Sequence, residues 1–270
     1  MVSEAAVPIG ILHSLLDRPE PDAHVVQLYR DHNSLARNVA RGPPSRGRGV
    51  VIATPEHRQA FREQLERRAV DVVAAEKETK LLFLDAVQTL GRFMVDGRPE
   101  WHRFETFITA VVKPIYPNPG ARVQAYGEMV GILWMAGEYS AAIKLEDFWN
   151  RILSTLGASL FCSYPIDVFG PEFVHSSVHA ILCDHTHVLP AEETESLESA
   201  IRGAINQVLG YEGARQVHSQ IESSRKAAWG VVPSPEQMIL WLREHLPDLA
   251  PEILRIARHG ALKQTSPLAS

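Results

Sequence analysis

Residues 122–165 have the sequence RVQAYGEMVGILWMAGEYSAAIKLEDFWNRILSTLGASLFCSYP, which carries the clearest fold signal in this chain. The segment predicts a short strand, a turn at Tyr126–Met129, two helices and a second strand that ends at Tyr164. Uncommon residues stand at the junctions between these elements. A short apolar strand, a helical connection and another short apolar strand are typical of the βαβ unit of parallel sheets.

The same alternation of strands and helices extends toward the N-terminus. Strand candidates, recognised as short apolar runs, are His24–Tyr29, Val50–Thr54, Asp71–Ala74 and Lys80–Leu84. Pro55 stands where a helix can begin, with Thr54 as a candidate N-cap. Short strands separated by amphipathic helices favour a sheet that is covered on both faces. We therefore predict an α/β fold with a mostly parallel, Rossmann-like sheet and helices on both faces.

The pattern changes beyond about Pro190, where no convincing strand remains. We predict four regions along the chain. They are an N-terminal helix or tail over residues 1–19, an α/β domain over residues 20–190, an α-helical C-terminal extension over residues 191–262 and a disordered tail over residues 263–270.

Composition and charge narrow the class of protein. The chain has 270 residues, of which 45% are hydrophobic, so it can bury a full core. Its formal net charge of −5 gives no general electrostatic reason to bind nucleic acid or an anionic membrane. No apolar run approaches the roughly 18–20 residues of a spanning helix, and the N-terminus lacks the basic segment of a secretory signal. We expect a cytoplasmic protein with reduced thiols, no membrane partner and no direct nucleic-acid binding.

The sequence lacks the phosphate-binding loop of a nucleotide-hydrolysing α/β protein. Residues 30–38 (RDHNSLARN), which follow the first strand candidate, contain no glycine. The glycine-rich residues 41–49 precede a strand, so they cannot cradle phosphate at a helix N-terminus. Asp85 resembles the residue that positions magnesium in ATPases, but it also fits an N-cap for a helix beginning at Ala86. We expect no enzymatic activity, with a degenerate nucleotide-binding ATPase or a thiol-dependent transferase as alternatives.

Histidines and a cysteine cluster near the end of the α/β region. His175, His179 and Cys183 are spaced so that one helical face would carry all three, and His185 follows closely. Such residues supply ligands to zinc or haem, and Cys162 on the preceding strand candidate could join them. The same spacing also arises when half-buried residues pack on a sheet, and we favour this interpretation. We therefore expect no cofactor, with a zinc- or haem-dependent sensor as the alternative.

Two acidic residues in the opening segment have more than one interpretation. Glu128 stands at a strand-to-helix turn, where the helix amides and dipole would stabilise it. It would also point toward the carboxyl edge of a parallel sheet, where α/β proteins bind ligands. Glu146 and Asn150 are four residues apart on a predicted helix, so they could pair or share a partner. Alternatively, that helix simply packs its apolar residues on the sheet.

Short motifs along the chain occur in the same order in a known family. They are HVVQLY (24–29), VIATPEHR (51–58), LDA (84–86), FMVDG (93–97), YGEMV (126–130), LEDFWN (145–150) and LFCSYP (160–165). Their combination is similar to the MEDS (methanogen/methylotroph, DcmR sensory) domain family over about residues 20–190. The resemblance implies a RecA/KaiC-like core without its phosphate loop, and a sensory or regulatory role in signal transduction or transcriptional control. It also implies recognition of small, hydrocarbon-derived molecules, and it brings no catalytic residues to this chain.

These observations predict a small-molecule site at the carboxyl edge of the sheet. The candidate ligand-binding residues, which stand at or just beyond the ends of strand candidates, are Tyr29, Thr54, Glu56, His57, Tyr126, Glu128, Cys162, Tyr164 and His185. Neither a histidine-kinase module nor a clear helix-turn-helix element is evident in the sequence. We therefore expect the helical extension to contact a protein partner or a second copy of the chain.

Overall fold

A computed structural model of the chain describes residues 16, 19–20, 22–42, 49–115, 123–190, 194–228 and 232–265. Most of the predicted N-terminal helix, residues 43–48 of the glycine-rich loop and residues 266–270 of the predicted tail lie outside these described residues. The chain divides into two compact units. Unit 1 comprises residues 1–165 and 184–187, and unit 2 comprises residues 166–183 and 188–270. The boundary that the sequence predicts near residue 190 stays a prediction.

A six-stranded parallel sheet forms the centre of the α/β fold. The strands of the described residues are, in chain order, β1 His24–Leu28, β2 Gly49–Ala53, β3 Leu81–Asp85, β4 Met94–Val95, β5 Arg98–Pro99, β6 Val123–Gly127, β7 Ala158–Tyr164 and β8 His187–Leu189. Strands β4 and β5 form a separate hairpin, and the others are arranged in the order β3-β2-β6-β7-β1-β8. Every residue of β1, β2 and β7 is buried, as expected for parallel strands covered on both faces. The predicted fold class is confirmed.

Helices connect the strands and make up the C-terminal part of the chain. Those of unit 1 are α1 His32–Arg41, α2 Pro55–Arg67, α3 Val72–Lys77, α4 Ala86–Phe93, α5 Trp101–Ile115, α6 Met129–Met135 and α7 Tyr139–Leu156. Those of unit 2 are α8 His175–Cys183, α9 Thr194–Ala228, α10 Ser234–His245 and α11 Ala250–Thr265. Helix α9 is interrupted at Gly210, whose φ is 69°. Within the described residues, no helix combines the length and the apolar character needed to cross a bilayer.

The helices cover both faces of the sheet because the chain winds in two directions. From β1 the chain moves to β2 and β3 at one edge, and from β3 it returns through β6 to β7. Since crossovers between parallel strands are right-handed, connections that run in opposite directions lie on opposite faces. Accordingly, α1 packs on α2, whereas α6 packs on α7. The two directions meet between β2 and β6, where a crevice forms at the carboxyl ends of the strands.

Aspartate caps determine where two helices begin. The predicted strand at Asp71–Ala74 is wrong, because Asp71 caps helix α3 by accepting a hydrogen bond from the backbone N–H of Ala74 at 2.9 Å. This local cap outweighs the strand preference of the valines that follow it. Asp85 caps α4 as predicted, since its carboxylate accepts from the backbone N–H of Gln88 at 2.9 Å.

Strand β7 presents its side chains alternately to the two faces of the sheet. It lies between β6 and β1, and its register places Cys162 opposite Val26. Because successive residues of a strand point to opposite faces, Cys162 and Tyr164 face one side and Ser163 faces the other. One strand therefore supplies polar side chains to two separate environments.

Helix α6 approaches the end of β7 closely at Gly131. A Cβ atom on Gly131 would lie 2.7 Å from the carbonyl oxygen of Ser163 and 3.0 Å from Cδ of Pro165. The nearer of these atoms belongs to the backbone, so the clash would relax only if the helix or the strand end moved. Glycine thus permits α6 to lie against the carboxyl edge of the sheet.

We predict that Gly131→Ala lowers the free energy of unfolding by about 1–3 kcal/mol, because the added methyl group overpacks this contact. The matched control is Gly91→Ala in α4, where a Cβ atom would meet nothing within 4 Å. The control should be stabilised by up to about 1 kcal/mol, since alanine favours a helix over glycine. Urea unfolding of the two variants provides the comparison, and equal changes would show that α6 has room at Gly131.

Candidate functional site

A cavity of about 350 Å³ lies at the carboxyl edge of the sheet. Its lining residues, which come from the ends of β1, β2, β6 and β7 and from the segments that follow them, are Tyr29, His32, Thr54, Glu56, His57, Glu128, Gly131, Ile132, Met135, Ser163 and Pro165. The cavity therefore lies at the crevice where the direction of winding reverses, which is the usual ligand position in doubly wound folds.

The carboxylate of Glu128 joins several elements at this cavity. The residue is only 3% exposed. Its Oε1 accepts a hydrogen bond from the backbone N–H of Thr54, and its Oε2 accepts from Nδ1 of His57 at 2.5 Å and from the hydroxyl of Tyr126 at 3.2 Å. The side chain makes no cap hydrogen bond to its own helix. Glu128 is the N-cap residue of α6, but the predicted stabilisation by the helix amides is wrong, because the carboxylate bonds the turn after β2 instead.

A hydrogen-bonded chain leads from solvent to this buried carboxylate. The side chain of His32 is exposed, and its Nδ1 lies 2.6 Å from Nε2 of His57. His57 is 7% exposed and donates from Nδ1 to Glu128. A proton between the two imidazoles completes the chain, because one ring nitrogen must donate and the other must accept. This arrangement places polar groups on one wall of the cavity.

Two tyrosines beside the carboxylate remain protonated at neutral pH. Burial raises the pKa of Tyr29 above its usual value, and the negative charge of Glu128 raises it further. Burial also raises the pKa of Tyr126 well above its usual value, again with a contribution from Glu128. The hydroxyl of Tyr126 lies 2.7 Å from Oγ of Ser163. Since the single phenolic proton is donated to Glu128, Ser163 donates to Tyr126 and presents its own lone pairs toward the cavity.

A second polar network lies on the opposite face of β7, where four side chains converge. Its members, all between 0% and 4% exposed, are His24, Glu146, Cys162 and His185. Nε2 of His24 is 3.3 Å from Sγ of Cys162 and 3.3 Å from Oε2 of Glu146. Nε2 of His185 is 3.5 Å from Oε1 of Glu146. The four groups can each direct one donor atom to a common point, because these atoms all lie within 4.8 Å of one another.

Asn150 and Tyr164 orient the second network. Nδ1 of His24 lies 2.7 Å from Oδ1 of Asn150, whose Nδ2 donates to the carbonyl oxygen of Asp184 at 3.1 Å. The hydroxyl of Tyr164 donates to Oε1 of Glu146 at 2.6 Å. Glu146 and Asn150 thus share His24 as a partner, which confirms that hypothesis for their spacing of four residues.

Burial and neighbouring charges shift the pKa values of the acids in the second network. Burial acts to raise the pKa of Glu146, but His185, His24 and the hydroxyl of Tyr164 outweigh it and hold the pKa below its usual value. Burial raises the pKa of the Cys162 thiol well above its usual value, and Glu146 adds to this effect. The carboxylate is therefore the charged acid here, and the thiol retains its proton unless a metal cation displaces it.

The nine candidate ligand-binding residues lie either at the cavity and the network of Glu128 beside it or in the second network. Those that line the cavity are Tyr29, Thr54, Glu56, His57 and Glu128. Tyr126 is fully buried and bonded to Glu128, whereas those in the second network are Cys162, Tyr164 and His185. A ligand-binding role for each of them stays a prediction.

The alternative metal ligands are placed differently from one another. His175 and His179 are neighbours on α8, with ring centroids 4.9 Å apart and both side chains exposed. The side chain of Cys183 lies outside the described part of the chain. His185 belongs to the second network, and among the described side chains this network is the group that can hold a metal ion.

Three polar residues of these networks escaped the sequence analysis. Ser163 follows Cys162, and the alternation of a strand alone would have placed it on the other face. His24 opens β1, but its proximity to Cys162 depends on the pairing of β1 with β7, which the sequence does not show. His32 carries only a weak signal, because its contact with His57 depends on the packing of α1 on α2.

We predict that Tyr29 and Tyr126 ionise only as the protein unfolds in alkali. Because their folded-state pKa values are raised, the bound protons stabilise the fold fully below the unfolded-state pKa of about 10. This stability is lost as the pH rises from about 10 toward the folded-state values. Tyrosinate absorbance and circular dichroism, recorded together, should therefore show both phenols ionising within the cooperative unfolding phase.

Single substitutions identify the phenols in that experiment. Tyr126→Phe should reduce the tyrosinate amplitude of the cooperative phase. Tyr211→Phe is the control, because Tyr211 is 77% exposed and its replacement should leave that amplitude unchanged. Ionisation of Tyr126 before the dichroism changes would contradict the prediction.

Comparison with known protein families identifies a family to which most of the chain is similar. The MEDS family model, described as MEthanogen/methylotroph, DcmR Sensory domain, matches residues 23–185, which is more than half of the chain. The matched region includes every residue of both polar networks, from His24 to His185. No curated protein matches the chain. The resemblance seen in the sequence motifs is confirmed, and the chain belongs to the MEDS family of sensory domains.

Proposed function

We propose that this chain is a non-catalytic sensory domain that binds a small, hydrocarbon-derived molecule in the cavity at the carboxyl edge of the sheet. The observation that carries the proposal is the cavity itself, which lies beside the network of Glu128 within a chain of a sensory family. Its volume of about 350 Å³ is near the lower end of the range of about 300–1,000 Å³ that small-molecule pockets occupy. A compact ligand fits this space.

The cavity combines apolar walls with a few fixed polar groups. Ile132 and Met135 of α6 supply apolar surface, and His57 and Ser163 supply polar atoms on other sides. Because Glu128 already accepts hydrogen bonds from three donors, its carboxylate has little remaining capacity to accept one from a ligand. A neutral molecule with an apolar body and one polar group suits these walls.

The start of helix α1 supports a role other than nucleotide hydrolysis. The side chain of Asp31 accepts hydrogen bonds from the backbone N–H groups of Asn33 at 3.0 Å and Ser34 at 2.9 Å. These are the amides that would bind a phosphate group at a helix N-terminus. A carboxylate occupies them and repels another anion, so we expect no ATP binding at this edge.

Unit 2 supplies the proposed output surface for signal transduction or transcriptional control. Its helices α9, α10 and α11 pack on one another, and Tyr211 of α9 is 77% exposed directly after the break at Gly210. An exposed tyrosine favours contact with another protein surface. We propose that this region contacts a partner protein or a second copy of the chain.

A ligand panel tests the function. Short-chain alcohols, aldehydes, amines and carboxylic acids are added separately to the full-length protein, with ATP as a further arm, and thermal unfolding is followed. A true ligand present at one hundred times its Kd should stabilise the fold by about 2.7 kcal/mol. Native mass spectrometry of freshly purified protein reports a retained ligand and the number of subunits. Stabilisation by ATP alone would favour the degenerate ATPase instead.

Substitutions locate the binding site of any compound that stabilises the protein. We predict that Glu128→Gln and Tyr126→Phe each weaken its binding at least about tenfold, or about 1.4 kcal/mol, because both alter the hydrogen bonds at the cavity. Ile132→Phe should also weaken binding, since the larger ring fills the cavity. The matched controls Glu138→Gln and Val87→Phe alter exposed residues outside the cavity and should leave the affinity unchanged. Unchanged affinity in both Glu128→Gln and Tyr126→Phe would show that the ligand binds elsewhere.

A further inference from the structure

The second polar network has the spacing of a metal-binding site. A tetrahedral zinc site with bonds of about 2.0–2.3 Å holds its ligand atoms about 3.3–3.8 Å apart. Here Nε2 of His24 is 3.3 Å from both Sγ of Cys162 and Oε2 of Glu146. Nε2 of His185 is 3.5 Å from Oε1 of Glu146, and Sγ of Cys162 is 3.8 Å from Oε2 of Glu146. The three distances among Nε2 of His24, Sγ of Cys162 and Oε2 of Glu146 fall within this range. His185 approaches the other carboxylate oxygen, and one ligand atom from each of the four residues lies within 4.8 Å of the others.

Asn150 determines which nitrogen of His24 faces the centre of the network. The carbonyl oxygen of Asp184 can only accept, so Nδ2 of Asn150 must face it and Oδ1 must face His24. Nδ1 of His24 therefore donates to Asn150, and Nε2 faces Cys162 and Glu146. This nitrogen therefore faces the sulfur and the carboxylate oxygen that a shared cation would bind with it.

The number of converging donors indicates which cation fits best. A single proton on His24 can form a hydrogen bond with only one acceptor. At this point, however, nitrogen, oxygen and sulfur atoms from four residues converge. A divalent ion can coordinate all four atoms at once. Its charge of two is balanced by one carboxylate and one thiolate, with both imidazoles neutral, so the buried site would carry no net charge.

We propose that His24, Glu146, Cys162 and His185 form a closed tetrahedral site for a divalent metal ion of the zinc class. Two imidazoles, one thiolate and one carboxylate are ligands that zinc accepts, whereas magnesium and calcium require oxygen. Four protein ligands with 0–4% exposure leave no open position for substrate, so the ion has a structural role. It links β1, β7, α7 and the segment before β8.

Two neighbouring residues act as supports for the ligands. Metal-bound histidines commonly donate their second ring nitrogen to an oxygen atom, and ligating carboxylates accept a further hydrogen bond. Asn150 provides the first of these contacts to His24, and Tyr164 provides the second to Glu146. These two hydrogen bonds hold the side chains of His24 and Glu146 in orientation.

This inference is independent of the proposed small-molecule function. The metal site faces α7, whereas the cavity uses Ser163 on the opposite face of β7. Protein that lacks metal but binds a ligand in the cavity would overturn the metal site alone. Protein that holds the metal but binds no compound there would count against the sensory proposal alone.

Metal content of the full-length protein tests the inference. The ligands are buried, so the ion is supplied during expression in minimal medium that contains either zinc or cobalt. Elemental analysis should find about one ion per chain in each preparation. The cobalt protein should show the intense visible bands of tetrahedral Co²⁺ and a thiolate-to-cobalt charge-transfer band. Substoichiometric metal in both preparations, or cobalt bands without a thiolate contribution, would overturn it.

Variants distinguish this site from other sets of ligands. Cys162→Ser should abolish the charge-transfer band, whereas Cys183→Ser should retain it. His179→Ala should also retain one ion per chain, because His179 is exposed on α8. Loss of the band in Cys183→Ser, or its survival in Cys162→Ser, would refute the assignment.

A variant of Asn150, which orients His24, keeps the test valid if Cys162→Ser fails to fold. Asn150 lies on an exposed position of α7, so Asn150→Ala should fold. Because His24 then loses the acceptor for its Nδ1, chelator competition should show a metal affinity about 10–100-fold lower than in the unsubstituted protein. Asp147→Ala, at a neighbouring exposed position of the same helix, is the matched control and should leave the affinity unchanged. Equal affinities in Asn150→Ala and Asp147→Ala would overturn the proposal.

Discussion

The alternation of side chains along β7 is the constraint on which both polar networks depend. This strand is buried throughout and hydrogen-bonded to a parallel neighbour on each side. Cys162 and Tyr164 face one side of the sheet, where they meet Glu146, while Ser163 faces the other, where it meets Tyr126. A register shift by one residue would exchange these faces and disrupt both networks at once. Both polar networks therefore depend on the position of the same strand, β7.

At the carboxyl edge of this sheet, carboxylates of the chain bind backbone N–H groups of the kind that bind phosphate in nucleotide-binding proteins. Asp31 bonds the first amides of α1, and Glu128 bonds the backbone N–H of Thr54 in the turn after β2. In a nucleotide-binding protein such amides at the ends of parallel strands would be left for an anionic ligand. Here they are satisfied from within the chain. The fold thus keeps the crevice of a doubly wound sheet, while its own carboxylates bind the amides at that edge.

The two networks differ in their access to solvent, and this difference separates their proposed roles. The network of Glu128 reaches the surface through His57 and the exposed His32, next to a cavity of about 350 Å³. That side of the network is in contact with solvent. The network of Glu146 is enclosed, with each of its four converging side chains at most 4% exposed. Enclosure suits an ion that is retained with the fold, whereas access suits a molecule that comes and goes.

The sequence by itself determined the class of fold, the absence of a phosphate loop and the family, because these features depend on local periodicity and on contiguous motifs. It also placed Tyr29, Thr54, His57 and Glu128 near one edge, since residues after parallel strands share that edge. Only the tertiary structure decided that β1 pairs with β7, which brings His24 to Cys162 and Glu146 across more than a hundred residues. It likewise decided that Glu128 bonds Thr54 rather than its own helix. Strand order and long-range hydrogen bonds arise from packing between distant segments, and no local pattern in the chain encodes them.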